Sequence, residues 1–391
     1  MSRIFIHVQY LKGIGHLQRM RLITEAAASV GLDVHIVTGG LPISGFAPVG
    51  VQLHQLPPLQ AGPEGFTDLR DERGQRVDEA WRSDRRDRLL ALFDELAPDL
   101  LLIESFPFGR RQFSFELMPL LEAAHSSSPR PAIVCSVRDI LQAARKPGRA
   151  EETVSRLRSF FDAVLVHGDP GFAALGETFS GSSEIEDLVH YTGFIAAPRK
   201  TFAVQPGTPR EEVVVSMGGG AIGPVLLDAA LKARSLSALA DTPWRLITGP
   251  HMPESDFARL QASGQTGVTV ERFRNDFRSL VAAAKLSISY AGYNTVTDLM
   301  RADVPAVLVT YSGETGGETE QETRAIRLEK CGMAATLPDK EISPEILVRA
   351  IETALALPRP KKHGFDLEGA RKTADLLLRW SAQASTPMVQ E

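Results

Sequence analysis

Residues 3–30 read RIFIHVQYLKGIGHLQRMRLITEAAASV, and the order of features in this stretch decides the fold class. The apolar run Arg3–Val8 is a strand rather than a signal segment, being short and interrupted by Arg3. Gly13-Ile14-Gly15-His16 lets the chain turn tightly, and a helical apolar period follows over Leu17–Val30. Strand, glycine turn, helix is the opening unit of an α/β protein with a parallel sheet.

Working outward, the same succession recurs. Val34–Thr38, Val51–Gln55, Leu100–Glu104, Ala132–Val137 and Ala163–His167 read as further strands with helical stretches between them. The pattern then restarts at Val213–Met217, Arg245–Thr248, Val268–Arg272, Leu286–Tyr290, Ala306–Thr310 and Ala334–Leu337. Between the halves, Ala196–Pro209 holds three prolines and one glycine and suits a linker. The expected division is a first domain over 1–197, a linker over 198–209 and a second domain over 210–365. A final helix over 366–384 can return to the first domain, and 385–391 is a disordered tail. Glu64–Arg88, mixed in sign, is expected to be a solvated loop followed by an exposed helix.

Composition narrows the class. The chain has 391 residues and a net charge of −5, so no basic excess points to nucleic acid. Cys135 and Cys331 stand far apart among apolar or small neighbours, which reads as two buried, reduced thiols in a cytoplasmic protein. No apolar run reaches the length of a membrane-spanning helix. The stretch with Phe106, Phe108, Arg110, Arg111, Phe113 and Phe115 leaves two readings, core aromatics or a peripheral patch at the inner face of a membrane.

Three glycine sites follow strands. Gly13 and Gly15 open the first helix, but position 18 is Gln and no acid follows the second strand, which weakens a dinucleotide reading. His16 lies at the carboxyl end of a strand, where open α/β sheets bind ligands; it reads as an anion contact or a general base. Ser216-Met217-Gly218-Gly219-Gly220 is costly in chain entropy and fits a phosphate-cradling nest, though no lysine follows in P-loop spacing. In the third, Ser289-Tyr290-Ala291-Gly292-Tyr293-Asn294-Thr295, Asn294 or Thr295 can cap the next helix. Asp298 either complements that helix's dipole or reaches a ribose hydroxyl. The loop Ser312–Gln321 offers Glu318, Glu320 and Gln321 to sugar hydroxyls, and Glu314 and Glu322 form a weak E-x7-E match.

At these residues the chain resembles the GT-B glycosyltransferases of the MurG-type family, glycosyltransferase family 28. The third glycine stretch through Leu299, then Ala302-Asp303-Val304-Pro305-Ala306, Glu320-Gln321 and Leu328–Gly332, carry the likeness. Glu104–Arg111 also looks like a predicted glycosyltransferase group allied to that family. The resemblance implies two doubly wound Rossmann-like domains with a cleft between them. It also implies inverting transfer of a hexosyl or N-acetylhexosaminyl group from a nucleotide-sugar donor, UDP-linked by expectation. The acceptor is a saccharide, a lipid-linked or a small molecule. By the same resemblance Gly218–Gly220 and Gly292–Thr295 hold the diphosphate, Asp298 the ribose and Glu320-Gln321 the sugar. Phe273–Phe277 lies by the base, and Gly13–His16 faces the reaction centre. Three departures stand out: Asp298 for glutamate, Glu320 for glutamine, and Arg324 for asparagine, which could bring a charge towards the donor.

No Asp-x-Asp motif is present, and amides at helix starts can meet the leaving charge, so no metal and no cofactor are expected. The base is expected to be His16, with Glu104 and Asp139 as alternatives. A nucleotide-sugar 2-epimerase and a non-catalytic nucleotide-sugar-binding partner are the rival readings.

Overall fold

The computed structural model describes residues 1–11, 13–142, 147–204, 210–218, 224–249, 252–313, 318–358 and 364–384. It divides into two compact units, Met1–Ile195 with the chain from Glu368 onward, and Ala196–Leu367. Gly219, Gly220, Glu314 and the tail 385–391 lie outside the described residues.

The first unit contains β1 (Arg3–Val8), β2 (Asp33–Thr38) and β3 (Val51–Gln55), a hairpin of β4 (Gln60–Gly62) and β5 (Gly65–Arg70), then β6 (Leu100–Glu104), β7 (Ala132–Arg138), β8 (Ala163–His167) and β9 (Val189–Tyr191). Its helices are α1 (Gly15–Ser29), α2 (Glu79–Leu96), α3 (Ser114–Ser126) and α4 (Arg149–Phe160). Seven strands form one sheet in the order β3-β2-β1-β6-β7-β8-β9, every neighbouring pair parallel. Residues Ile4 to Val8 of β1 and all of β6 are buried, because helices cover both faces of a parallel sheet. Phe5, Leu101 and Ile103 pack with Leu117 and Leu120 of α3 on one face.

The second unit repeats the plan with β10 (Glu212–Ser216), β11 (Trp244–Ile247), β12 (Val268–Glu271), β13 (Ala284–Tyr290), β14 (Ala306–Thr310) and β15 (Ala335–Pro338). The sheet order is β12-β11-β10-β13-β14-β15, again all parallel. Helices α5 (Val225–Leu236), α6 (Glu254–Gln261), α7 (Phe277–Ala282), α8 (Tyr293–Ala302), α9 (Glu320–Lys330) and α10 (Pro344–Ala356) complete it. The last helix, α11 (Gly369–Ala384), packs on α1 in the first unit and buries Thr373, Ala374, Leu377 and Ser381 there.

In both sheets the order reverses direction at one point. Strands to one side of β1 are β2 and β3, while β6 and its successors lie on the other; β10 and β13 part in the same way. At such a point the returning connections diverge, and a crevice opens beyond the carboxyl ends of the strands.

Several sequence readings are corrected. Glu64–Arg88 is more than a loop and an exposed helix. It contains β5, and α2 carries the fully buried Arg85. The hairpin escaped notice because its polarity is inverted: Asp68 points inward while Phe66 is exposed. Arg85 donates from Nε and Nη2 to both oxygens of Glu116 at 2.6 and 3.0 Å, and from Nη2 to Gln9 Oε1 at 2.7 Å. It also donates to the carbonyls of Gly39 and Pro57. A Cβ at Gly39 would fall 2.0 Å from Gln9 Oε1, so a side chain there would displace the Gln9 and Arg85 ends. Cys331 is exposed, whereas Cys135 is buried. Phe106 and Phe113 are interior, so the peripheral patch loses half its aromatics to the core. Among the described residues no helix is long and apolar enough to cross a membrane.

Breaking a fully buried ion pair strands the remaining charge. Arg85→Ala should therefore lower unfolding stability by about 3–5 kcal/mol in urea titrations. A loss under about 1 kcal/mol would mean that the loops after β1, β2 and β3 do not depend on this pair.

Candidate functional site

At the reversal in the first sheet, Gly13 adopts φ +61°, the left-handed region that favours glycine, and the chain enters α1 at Gly15. His16 is thereby placed at the amino end of α1, beyond β1. Glu104 ends β6, directly paired with β1. The two meet: His16 Nδ1 lies 2.6 Å from Glu104 Oε1. The Arg19 guanidinium and the Ser105 hydroxyl, the latter at 2.7 Å, donate to the same oxygen.

The Glu104 side chain is wholly buried. Burial would raise its carboxyl, but His16, Arg19 and Arg110 hold it well below the usual carboxylate range. Burial also lowers the His16 imidazole to about 4, with Arg110 and Arg19 adding to the fall and Glu104 opposing it. At neutral pH the pair is an ionised carboxylate and a neutral imidazole. The proton then sits on Nδ1, donated to Glu104, and Nε2 presents a lone pair. The His16 side chain is 21% exposed, enough to be reached. Glu104 is thus the hydrogen-bond partner of His16. Asp139, buried just past β7, belongs to the neighbouring strand end.

At the reversal in the second sheet, Ser216 of β10 and Ser289 of β13 are register partners. Both hydroxyls are buried without a hydrogen-bond partner, an unusual pairing of orphan polar groups at a strand end. Gly218 follows at φ +70°, and a Cβ there would stand 3.9 Å from Thr295 Oγ1, so the second and third glycine sites are neighbours. Gly292 is the N-cap of α8 and makes no side-chain cap. Asn294 and Thr295 therefore do not cap that helix; they lie within its first turn. The helix opens with the bond from Val296 N to Gly292 O. Gly249, which sequence reasoning missed, closes this corner at φ +82°; a Cβ would lie 2.8 Å from the Gly218 carbonyl. Its signal was only a lone glycine after β11.

The flanking charges are paired inside the unit. Arg278 Nε donates to both Asp298 oxygens at 3.0 and 3.2 Å, and burial raises the Asp298 carboxyl against the pull of Arg278. Arg324 is fully buried and donates to the Ala291 carbonyl at 3.0 Å and to Glu320 at 2.7 Å. Its guanidinium is thereby clasped between the third glycine loop and Glu320. Gln321 keeps a buried amide oxygen without a partner. Phe273 is 65% exposed on the loop after β12, open to stacking. A cavity of about 260 Å³ lined by Lys285, Met300 and Met333 lies at the opposite end of this sheet, at the strand starts.

Residues 213–376 match the glycosyltransferase family 28 C-terminal domain. That stretch is similar to the family over less than half of the chain. Curated relatives are similar over part of their length. The UDP-N-acetylglucosamine--N-acetylmuramyl-(pentapeptide) pyrophosphoryl-undecaprenol N-acetylglucosamine transferase of Paenarthrobacter aurescens is 29% identical over 201 residues, half of each chain. The enzyme of the same name from Thermotoga neapolitana is 25% identical over 134 residues, 34% of this chain and 39% of the relative. The chain thus spans half or less of these two relatives' length. Solved structures align along nearly all of it. The glycotransferase of kitacinnamycin gives a TM-score of 0.62 at 14% identity, covering 97% of this chain and 99% of that one. The calicheamicin glycosyltransferase CalG4 gives 0.59 at 16%, covering 99% and 96%. Acinetobacter baumannii MurG gives 0.57 at 15%, covering 98% and 99%. The family 28 match therefore falls in a chain of GT-B fold, as the glycine stretch around Gly292 implied.

Gly249→Val combines a strained φ with a clash against the Gly218 carbonyl. It should weaken binding of inorganic pyrophosphate by about tenfold in calorimetry while circular dichroism stays native. Unchanged affinity would separate this corner from anion binding.

Proposed function

We propose that this chain is a metal-independent, inverting glycosyltransferase that moves a hexosyl or N-acetylhexosaminyl group from a UDP-sugar to an acceptor hydroxyl. The observation that carries the reading is the 2.6 Å contact between His16 Nδ1 and the buried Glu104 carboxylate, which leaves Nε2 as a base at a ligand-binding strand end. The family 28 match and the names of the relatives support the donor class.

In this reading the acceptor hydroxyl gives its proton to His16 Nε2 as its oxygen attacks the anomeric carbon. Glu104 holds the imidazole in orientation and stabilises the imidazolium that forms. The bond to the nucleoside diphosphate breaks with its electron pair on the leaving oxygen. That charge is met in the second unit by the amino end of α8, the Gly218 turn and the hydroxyls of Ser216 and Ser289. Gly219 and Gly220 belong to the same proposal by sequence. Asp298, oriented by Arg278, takes the ribose. Glu320, tied to Arg324, and Gln321 take donor-sugar hydroxyls, and Phe273 covers the base.

A thermal-shift panel of UDP, TDP, GDP and their sugars tests the donor, and the best of them is then used for turnover with and without EDTA. His16→Ala should lower kcat by about 10²–10⁴ with donor affinity kept. The sign of the pH dependence follows from a lowered imidazole. His16 becomes protonated, and lost as a base, only as pH falls through about 4, so the acid limb of kcat/KM lies near there and not at the ordinary histidine value. Undiminished turnover in His16→Ala, or an acid limb near 6.5, would refute the assigned base. Formation of an epimeric sugar from donor alone would favour the isomerase.

A further inference from the structure

The second unit holds a carboxylate that already has its counter-charge. Asp298 lies on α8, and its side chain is only 11% exposed. Both of its oxygens accept from Arg278 Nε, at 3.0 and 3.2 Å. Arg278 stands in the first turn of α7, just after the loop that carries the exposed Phe273. The Arg278 side chain is 32% exposed, so water reaches the guanidinium. Other polar groups of this unit are in a different state: the hydroxyls of Ser216 and Ser289 and the Gln321 amide oxygen are buried without a partner. Those groups gain a partner when a ligand arrives; Asp298 does not need one.

That difference decides how strictly a ribose is read. A ribose offers hydroxyls at C2′ and C3′, and either can donate to a carboxylate. A site rejects the analogue lacking one hydroxyl most sharply when the loss leaves a buried polar group unpaired. A buried carboxylate without an internal counter-charge is the extreme case. Asp298 is not in that position, because the charge-assisted bonds from Arg278 span both oxygens whether or not a hydroxyl is present. Burial raises the Asp298 carboxyl, and the charges opposing that rise, Arg278 and Arg301, both belong to the protein.

We propose that Arg278 sets the breadth of the donor class: by satisfying Asp298 from within the protein it removes the need for a ribose 2′-hydroxyl, so that 2′-deoxyribose nucleotide-sugars are accepted alongside ribose ones. This rests on the reading of Asp298 as the ribose contact and deepens it. The carboxylate keeps lone pairs for the 3′-hydroxyl, which both sugars share. Where the 2′-hydroxyl is missing, no buried charge is stranded, and water takes its place at the exposed guanidinium. Arg278 is thus a positioning residue that acts through Asp298.

The test is calorimetry of the full chain with UDP and with deoxy-UDP, which lacks only the 2′-hydroxyl. The wild-type chain should bind the two within about threefold of each other. Arg278→Ala strands the Asp298 carboxylate, so the preference for UDP should rise to about tenfold or more. A wild-type preference for UDP above about threefold overturns the proposal. So does an Arg278→Ala ratio equal to the wild-type ratio, since a merely structural role would weaken both nucleotides alike. Failure of the wild-type chain to bind either nucleotide is a separate outcome: it refutes the donor reading itself, and this inference with it. Should Arg278→Ala fail to fold, Arg278→Met is judged by the same ratio.

Discussion

Parallel strands cannot be joined by a tight turn; each connection must climb back over a sheet face before the next strand begins. Where successive connections leave on opposite faces, they uncover the strand ends between them. The chain meets this constraint twice, between β1 and β6 and between β10 and β13. Most of the polar groups discussed above follow from those two places. His16 and Glu104 flank the first; Ser216, Gly218, Ser289 and Gly292 flank the second. Hydrophobic burial builds the sheets, but it is the reversal that leaves strand ends unfilled and gives buried polar side chains somewhere to point.

The two mouths are furnished differently. In the first unit the polar groups are charged and interlocked: Glu104 with Arg19 and His16, and beneath them Arg85 with Glu116 and Gln9. Glu104 stays ionised in a dry setting only because cations surround it, and His16 stays neutral because burial and those same cations disfavour a further positive charge. In the second unit the ion pairs Arg278–Asp298 and Arg324–Glu320 stand at the flanks, while the strand ends hold neutral hydroxyls, glycine and helix-start amides. Neutral donors suit a group that arrives already charged, since they stabilise it without a competing counter-ion.

Much of this was legible in the sequence, because burial on both faces writes parallel strands as unbroken apolar runs and the turns after them as glycine. The strands from Arg3–Val8 to Ala306–Thr310 fall where the apolar runs lie, and the likeness around Gly292 named the fold. What escaped was polarity turned inward. Arg85 looked like one more charge on a solvated helix, since nothing local marks a partner 31 positions away. Arg324 read as a charge that could come towards a donor, and its clasp on Ala291 and Glu320 was not visible. Glu104 and His16, 88 positions apart, appeared as alternatives; only the pairing of β1 with β6 makes them one unit. Pairings of this kind are set by topology, and single-residue chemistry cannot disclose them.

In this arrangement Glu104 fixes a neutral His16 with its proton on Nδ1. The nitrogen-15 shifts of the His16 ring at pH 7, assigned through a His16→Gln variant, report this state directly. A protonated Nδ1 and a bare Nε2 are expected, with the signature lost in Glu104→Gln. An imidazolium at pH 7, or a proton on Nε2, would contradict it.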